Sequence, residues 1–232
     1  MPAHTRLLVF DLDYLVFDCS PVKIQALRQS LIAFAESIPQ SVRLPDAIDA
    51  EEGYRDHGFR WTQFLEIGLD EERLSELQRV YSIQEERLLD SGAGRVFPGL
   101  TELLEQCRRH GLQLAIGADA SRDYLMAVSD RHRLHDLFSL ALCTEEFGVG
   151  STDEMLAEII HHHEVNPSET VVLATRAAMF QAAHRLDVVT IGCGWGIHRH
   201  DGLAEADFRS LTLSALEPAL EEADDLSSRY LA

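Results

Sequence analysis

Leu7-Leu8-Val9-Phe10-Asp11-Leu12-Asp13-Tyr14-Leu15-Val16-Phe17-Asp18 is the stretch on which the reading of this chain turns. Four apolar residues in a row, led in by Arg6, have the pattern of a short strand buried on both faces, as the strands of parallel sheets are. Two carboxylates follow at i and i+2, and on an extended chain that spacing points both side chains the same way. A buried strand ending in two co-facing acids makes a poor core and a good cation holder. In open α/β sheets the carboxyl ends of the strands are where ligands bind. The plainer reading is a pair of acids that caps a loop.

Outward from this stretch, the bounds are wide. The 232 residues suffice for one sizeable core and a small accessory domain, and a hydrophobic share of 46% suits a globular protein. No apolar run approaches the length of a membrane span, and the first residues lack the basic-then-apolar layout of a signal peptide, so the expectation is a cytoplasmic protein with no membrane partner. With 39 acids against 20 bases and a net charge of −19, nucleic acid is an unsuitable partner, because its phosphates would be repelled. Lys23 is the single lysine, which matters below. Cys19, Cys107, Cys143 and Cys193 stand far apart and read as reduced thiols, with neither a zinc site nor a disulfide frame.

Taken in order, Ser20-Pro21 starts a helix with apolar residues Ile24, Leu27, Leu31, Ile32 and Ala35, and Pro39 and Pro45 break the pattern. A polar helical piece over 49–56, an aromatic segment with Phe59, Trp61 and Phe64, and a long helix opened by Asp70 and ended at Ser91-Gly92 follow. Beyond Pro98-Gly99 the pattern becomes α/β. Helices carry Leu100 to Cys107, Arg122 to Arg131, Met155 to Ile160, and 177–186, with Ser151 to Glu154 as a capping box. Strands are expected over 112–116, 140–143, 170–173, 188–191 and 211–213, with a glycine-rich loop at 192–196. The fold class is therefore α/β, a Rossmann-like parallel-sheet core (1–18 and 93–232) with an inserted all-helical cap domain (19–92).

Asp11-Leu12-Asp13 behind an apolar strand, with Phe17-Asp18-Cys19-Ser20 close by, resembles the first motif of the haloacid-dehalogenase-like superfamily. The cap inserted just after the first strand, the Pro98-Gly99 re-entry and the Gly192-Cys193-Gly194-Trp195-Gly196 loop are similar to its phosphoglycolate phosphatase and β-phosphoglucomutase branch. The resemblance implies Asp11 as a phosphoryl-accepting nucleophile, Asp13 as general acid/base, and both as ligands of Mg²⁺ if Mg²⁺ binds at all.

Past that motif the residues depart. The family places a Thr or Ser hydroxyl where this chain has Ala118-Asp119, and an aspartate there repels phosphate. Ser121 and Arg122, at a helix start, are the candidates to compensate. The family lysine falls at Gly148-Val149-Gly150, and Lys23, in the insertion, is the only lysine left. The last motif, Gly-Asp with a second acid four residues on, is here Ala174-Thr175-Arg176-Ala177-Ala178-Met179. Tyr14 replaces a glycine in the turn after Asp13, and its ring is expected at the mouth of the site, partly filling the phosphate space. Arg176 is expected to stand in for the metal, its guanidinium reaching Asp11 or Asp13.

The reading is a degenerate phosphatase-like site, a pseudoenzyme with little or no phosphatase activity and no cofactor. Its remaining role would be to bind a small-molecule or protein ligand at the cleft between cap and core. Asp119, Ser121, Arg122, Arg176 and Tyr14 are the residues expected around that ligand. The rival is a Mg²⁺-dependent phosphatase hydrolysing a small phosphomonoester through an Asp11 aspartyl-phosphate. A dehalogenase fits less well: that chemistry dispenses with the second aspartate, kept here, and uses the lysine, lost here. Elsewhere, His161-His162-His163 reads as a solvent-side run, since neighbours on a helix face different ways. His198, His200, Asp201 and Cys193 make a weak metal constellation, Trp195 reads as packing, and Glu217, Glu221, Glu222, Asp224 and Asp225 read as a solvated terminal face.

Overall fold

The computed structural model describes residues 4–37, 41–55, 61–66, 68–148 and 152–229. Four sequence readings lie outside the described residues: the break at Pro39, the end of the second helical piece at Asp56, Phe59 of the aromatic segment, and Val149-Gly150-Ser151. Contacts divide the chain into two units, Met1–Asp18 with Val96–Ala232, and Cys19–Arg95.

The first unit is built on β1 (Leu7–Phe10), whose four side chains are all fully buried. The chain leaves it at the two-residue strand β2 (Phe17–Asp18) and returns at β3 (Arg95–Val96), where the Phe97 N–H donates to the Val16 carbonyl at 3.3 Å. Then β4 (Gln113–Ala118), β5 (Leu140–Cys143), β6 (Thr170–Ala174), β7 (Val189–Cys193) and β8 (Phe208–Ser210) follow, each separated from the next by helical chain. The sheet order is β5-β4-β1-β6-β7-β8 and every pairing is parallel. Continuous apolar runs such as Leu7–Phe10 need cover on both faces, and helices supply it. Met155, Leu156 and Ile159 of α6 (Thr152–His162) and Phe180 of α7 (Ala177–Arg185) pack with Val9, Ala115 and Val172 in one apolar cluster.

Topology decides where a site can lie. From β1 the chain steps outward to β4 and β5, then crosses back to β6 and steps the other way to β7 and β8. The reversal falls between β1 and β6, and a crevice opens at the carboxyl ends of such strands. Phe10 is in register with Ile116 on one side and Leu173 on the other, which brings the residues just beyond those three strands together.

At the far end of the chain the structure corrects two expectations. The last strand is Phe208–Ser210, not 211–213: the Gly194 N–H donates to the Ser210 carbonyl at 2.9 Å and ends the ladder, and Leu213–Ala215 is a short 3-10 turn. The acidic tail is helix α8 (Leu216–Arg229) and is not wholly solvated. Leu216, Ala219, Leu220 and Ala223 recur at helical spacing and are buried, and Asp224 is buried with them. Its Oδ1 accepts hydrogen bonds from the Thr5 N–H (2.6 Å), the Thr5 hydroxyl (2.8 Å) and the His4 N–H (2.9 Å).

Among the described residues the second unit is mainly helical, with α1 (Ser20–Ser37), α2 (Ala47–Arg55) and α3 (Glu71–Asp90). Leu27, Leu31, Phe34, Ala50, Trp61, Phe64 and Leu77 form its core, with Trp61 edge-on to Tyr81. Asp70 caps α3 by accepting from the Arg73 N–H. Lys23 is no free surface charge: its Nζ lies 2.8 Å from Glu85 Oε1, which also accepts from the Tyr81 hydroxyl. No described helix is long and apolar enough to cross a membrane.

Candidate functional site

Asp11 stands one residue past β1 and remains tied to the sheet, because its N–H donates to the Leu173 carbonyl at 2.9 Å. Its side chain is 1% exposed. One carboxylate oxygen, Oδ1, accepts the Leu12 N–H at 2.9 Å, and the other, Oδ2, accepts the Arg176 Nε–H at 3.1 Å. Arg176 lies two residues past β6, extended at φ −139° and ψ 148° just before α7 begins, and is itself only 2% exposed. Its Nη1 donates to Asp119 Oδ2, one residue past β4. Asp119 Oδ1 in turn accepts from the Thr144 hydroxyl at 2.8 Å, one residue past β5. One chain of polar contacts thus runs across the carboxyl ends of four neighbouring strands.

Asp13 is also buried, and its Oδ1 accepts the Tyr124 hydroxyl at 2.7 Å. Tyr124 and Thr144 were not singled out in the sequence. The signal for Tyr124 was present, since the first turn of a helix that follows β4 overlooks the same strand ends.

The remaining candidates are placed differently from expectation. The Ser121 hydroxyl accepts the Tyr124 N–H at 3.3 Å and so caps α5 (Arg122–His132), and Arg122 is exposed and paired with Glu146 at 3.1 Å. Neither reaches into the carboxylate cluster in place of a missing donor: one is consumed by the helix end, the other by a surface pair. Tyr14 is not at a mouth. It is 1% exposed, and its backbone is left-handed, φ 61°, in the turn where its N–H donates to the Phe17 carbonyl at 2.9 Å. A Cβ on Gly196 would stand 1.9 Å from the Tyr14 carbonyl oxygen, so the glycine-rich loop rests directly on that turn. The Trp195 indole N–H donates to the Leu15 carbonyl at 3.0 Å, which makes Trp195 a packing residue with a polar anchor.

The histidine run is likewise divided. His161 and His162 are exposed, but His163 is buried, with Nδ1 2.8 Å from the Ile159 carbonyl and Nε2 2.8 Å from the Ser139 hydroxyl. Cys193 is fully buried, which pushes its thiol well above the ordinary range, and His200 Nε2 lies 3.1 Å from the Gly194 carbonyl. A cavity of ≈ 460 Å³ lined by Pro167, Ser168, His184 and Asp187 lies at the amino ends of β6 and β7, opposite the carboxylates.

Mg²⁺ demands near-octahedral oxygen ligands and gives up water reluctantly. The positions that would supply its carboxylates hold Thr175 and Met179. Met179 is packed in the apolar cluster of the sheet, and Asp11 Oδ2 already faces a guanidinium. No group of three His, Cys, Asp or Glu side chains suited to a metal occurs among the described residues. This donor set does not fit Mg²⁺.

Solved structures share the fold. A predicted phosphoglycolate phosphatase of Haemophilus somnus 129PT is 14% identical with a TM-score of 0.75, covering 93% of this chain and 98% of its own. A predicted phosphatase of Clostridium acetobutylicum is 15% identical with a TM-score of 0.73, covering 99% of each. CbbY of Rhodobacter sphaeroides, in complex with xylulose-(1,5)bisphosphate, is 17% identical with a TM-score of 0.70, covering 94% of this chain and 99% of its own. Among curated proteins none matches the sequence. The family model for haloacid dehalogenase-like hydrolases matches residues 8–193, from the first strand to the end of β7. With most of its length matched, its parallel sheet in this order and Asp11 and Asp13 just past β1 at the switch point, the chain belongs to the haloacid dehalogenase-like hydrolase family.

Proposed function

We propose that this family member has little or no phosphatase activity and serves as a binding protein for a small molecule or a protein ligand taken over the carboxyl ends of the sheet. One observation carries the reading: both oxygens of Asp11 are engaged inside the protein, one by the Leu12 N–H and one by Arg176. A nucleophile must present an oxygen lone pair to phosphorus, and this one is held by a charge-assisted hydrogen bond. Two carboxylates, Asp11 and Asp119, share the Arg176 guanidinium, and Asp13 adds a third buried acid two residues past Asp11, so a phosphomonoester dianion would meet a surplus of negative charge. The sugar bisphosphate held by the Rhodobacter protein is for that reason not carried over to this chain.

The alternative, a Mg²⁺-dependent phosphatase acting through an aspartyl-phosphate on Asp11, requires Arg176 to leave and other ligands to arrive. Hydrolysis of p-nitrophenyl phosphate and of small sugar phosphates in Mg²⁺, compared with an Asp11→Asn control, separates the two. The expected rate equals the control, because losing several members of a cooperative catalytic unit costs about as much as losing the nucleophile. Turnover of about 1 per second or more that Asp11→Asn abolishes would overturn the reading.

A further inference from the structure

We infer that Arg176 is a built-in replacement for the divalent cation of this site, so that the folded chain carries its own counter-charge and refuses Mg²⁺ there. The inference rests on the reading above and names what took over the metal's place. A divalent cation in such a site offsets gathered carboxylates and holds them in one arrangement. Arg176 does both: its Nε is 3.1 Å from Asp11 and its Nη1 is bonded to Asp119, so one planar group spans the ends of β1 and β4. Guanidinium cannot lose its charge in a protein, and its fixed fork suits carboxylates. The carboxylate ligands are missing as well. Thr175, where the family has an acid, is buried, and its hydroxyl has no hydrogen-bond partner among the described residues. A metal would have to displace a buried guanidinium and still lack oxygens to complete its shell.

The test uses the full chain, with Mn²⁺ as a spectroscopic probe by electron paramagnetic resonance and Mg²⁺ in thermal melts, on the wild type and on Arg176→Gln and Arg176→Lys. The wild type is expected to show no Asp11-dependent Mn²⁺ site tighter than about 1 mM, the weak end of carboxylate sites. Arg176→Gln removes the charge. It should melt lower in chelator than Arg176→Lys, bind Mn²⁺ at least about tenfold more tightly than the wild type, and regain midpoint in Mg²⁺, as binding to the native state requires. Arg176→Lys keeps a cation, and should melt near the wild type and refuse Mn²⁺. If Arg176→Gln does not fold while Arg176→Lys does, the need for a positive charge is upheld. Equal damage in both variants, unmoved by metal, would make Arg176 a packing residue and overturn the assignment. So would a wild-type Mn²⁺ site lost in Asp11→Asn. That last result leaves the low-hydrolysis reading intact, whereas phosphatase turnover in chelator would sink that reading and leave this one standing.

Discussion

Asp11 and Asp224 are both buried carboxylates, at opposite ends of the same sheet, and they are stabilised in different ways. Asp224 is held by neutral donors: the N–H groups of His4 and Thr5 and the Thr5 hydroxyl, all brought to it as the chain enters β1. Asp11 has one backbone N–H and needs a full cation, Arg176, for its other oxygen. A carboxylate placed to hold a fold comes with its donors. One at the carboxyl end of a strand, where ligands bind, has fewer donors of its own, and a buried negative charge there needs a cation to offset it. The contrast predicts that the two will respond differently to mutation.

The largest effect is expected for Arg176→Ala, which leaves Asp11 buried without its counter-charge. Breaking one side of such a pair costs about 3–5 kcal/mol, whereas exchanging both sides for apolar residues is often neutral. Urea unfolding should therefore show Asp11→Leu/Arg176→Met recovering most of what Arg176→Ala loses. A double variant as unstable as the single one would mean the pair is not the unit that matters. Asp224→Ala comes next, at about 2–3 kcal/mol for hydrogen bonds to a charged group, and no second substitution should fully rescue it, because the His4 and Thr5 N–H donors are backbone. Asp224→Asn, which keeps an accepting oxygen, should lose less; equal losses would show that charge dominates there too.

Much of this was readable in the sequence. Leu7–Phe10, the paired acids and the alternation of strands and helices marked the core, and Arg176 stood out because it follows Thr175, where the family resemblance calls for an acid. Partners far along the chain were not readable. Asp224 looks like one more acid in an acidic tail until its partners, 220 and 219 residues away, are placed against it. Tyr124 is 111 residues from Asp13, and nothing local marks its hydroxyl as buried. For Tyr14 the resemblance placed a large ring at the mouth of the site, and nothing local showed that the residue would be fully buried, with a left-handed backbone whose carbonyl rests on Gly196. Periodicity reports which face of an element is apolar and says nothing of which polar group meets it.

Tyr124→Phe sharpens the comparison at a smaller scale. Asp13 is held like Asp224, by a neutral hydroxyl, so the loss should be about 1.5–2 kcal/mol, measured by the shift in urea midpoint. A loss as large as that of Arg176→Ala would place Asp13 with Asp11 instead. The smallest effect is expected at His132, whose ring lies 5.2 Å from that of Phe17 and whose pKa is held below the usual imidazole value by burial first and the Arg131 charge second. The unfolded chain then takes up the proton before the folded one, so this group destabilises the fold as pH falls through about 6.5 and has no effect above that. Thermal midpoints should fall more steeply in that window for the wild type than for His132→Gln; parallel curves would remove His132 from the account.

The contact between Asp224 and the entry to β1 also has a consequence for the order in which the chain can fold. On a ribosome the central strand emerges long before its partners: its neighbour β4 begins at residue 113, its neighbour β6 at residue 170, and its clasp lies at residue 224. Until those segments emerge, Leu7 to Phe10 must wait as an apolar ribbon with both hydrogen-bonding edges open. Closing contacts across so long a span is slow, because the entropy of bringing the ends together comes before any gain. The helical segment Cys19–Arg95, with its own core, can gather in the meantime, so the strand on which everything is registered is the last to be secured.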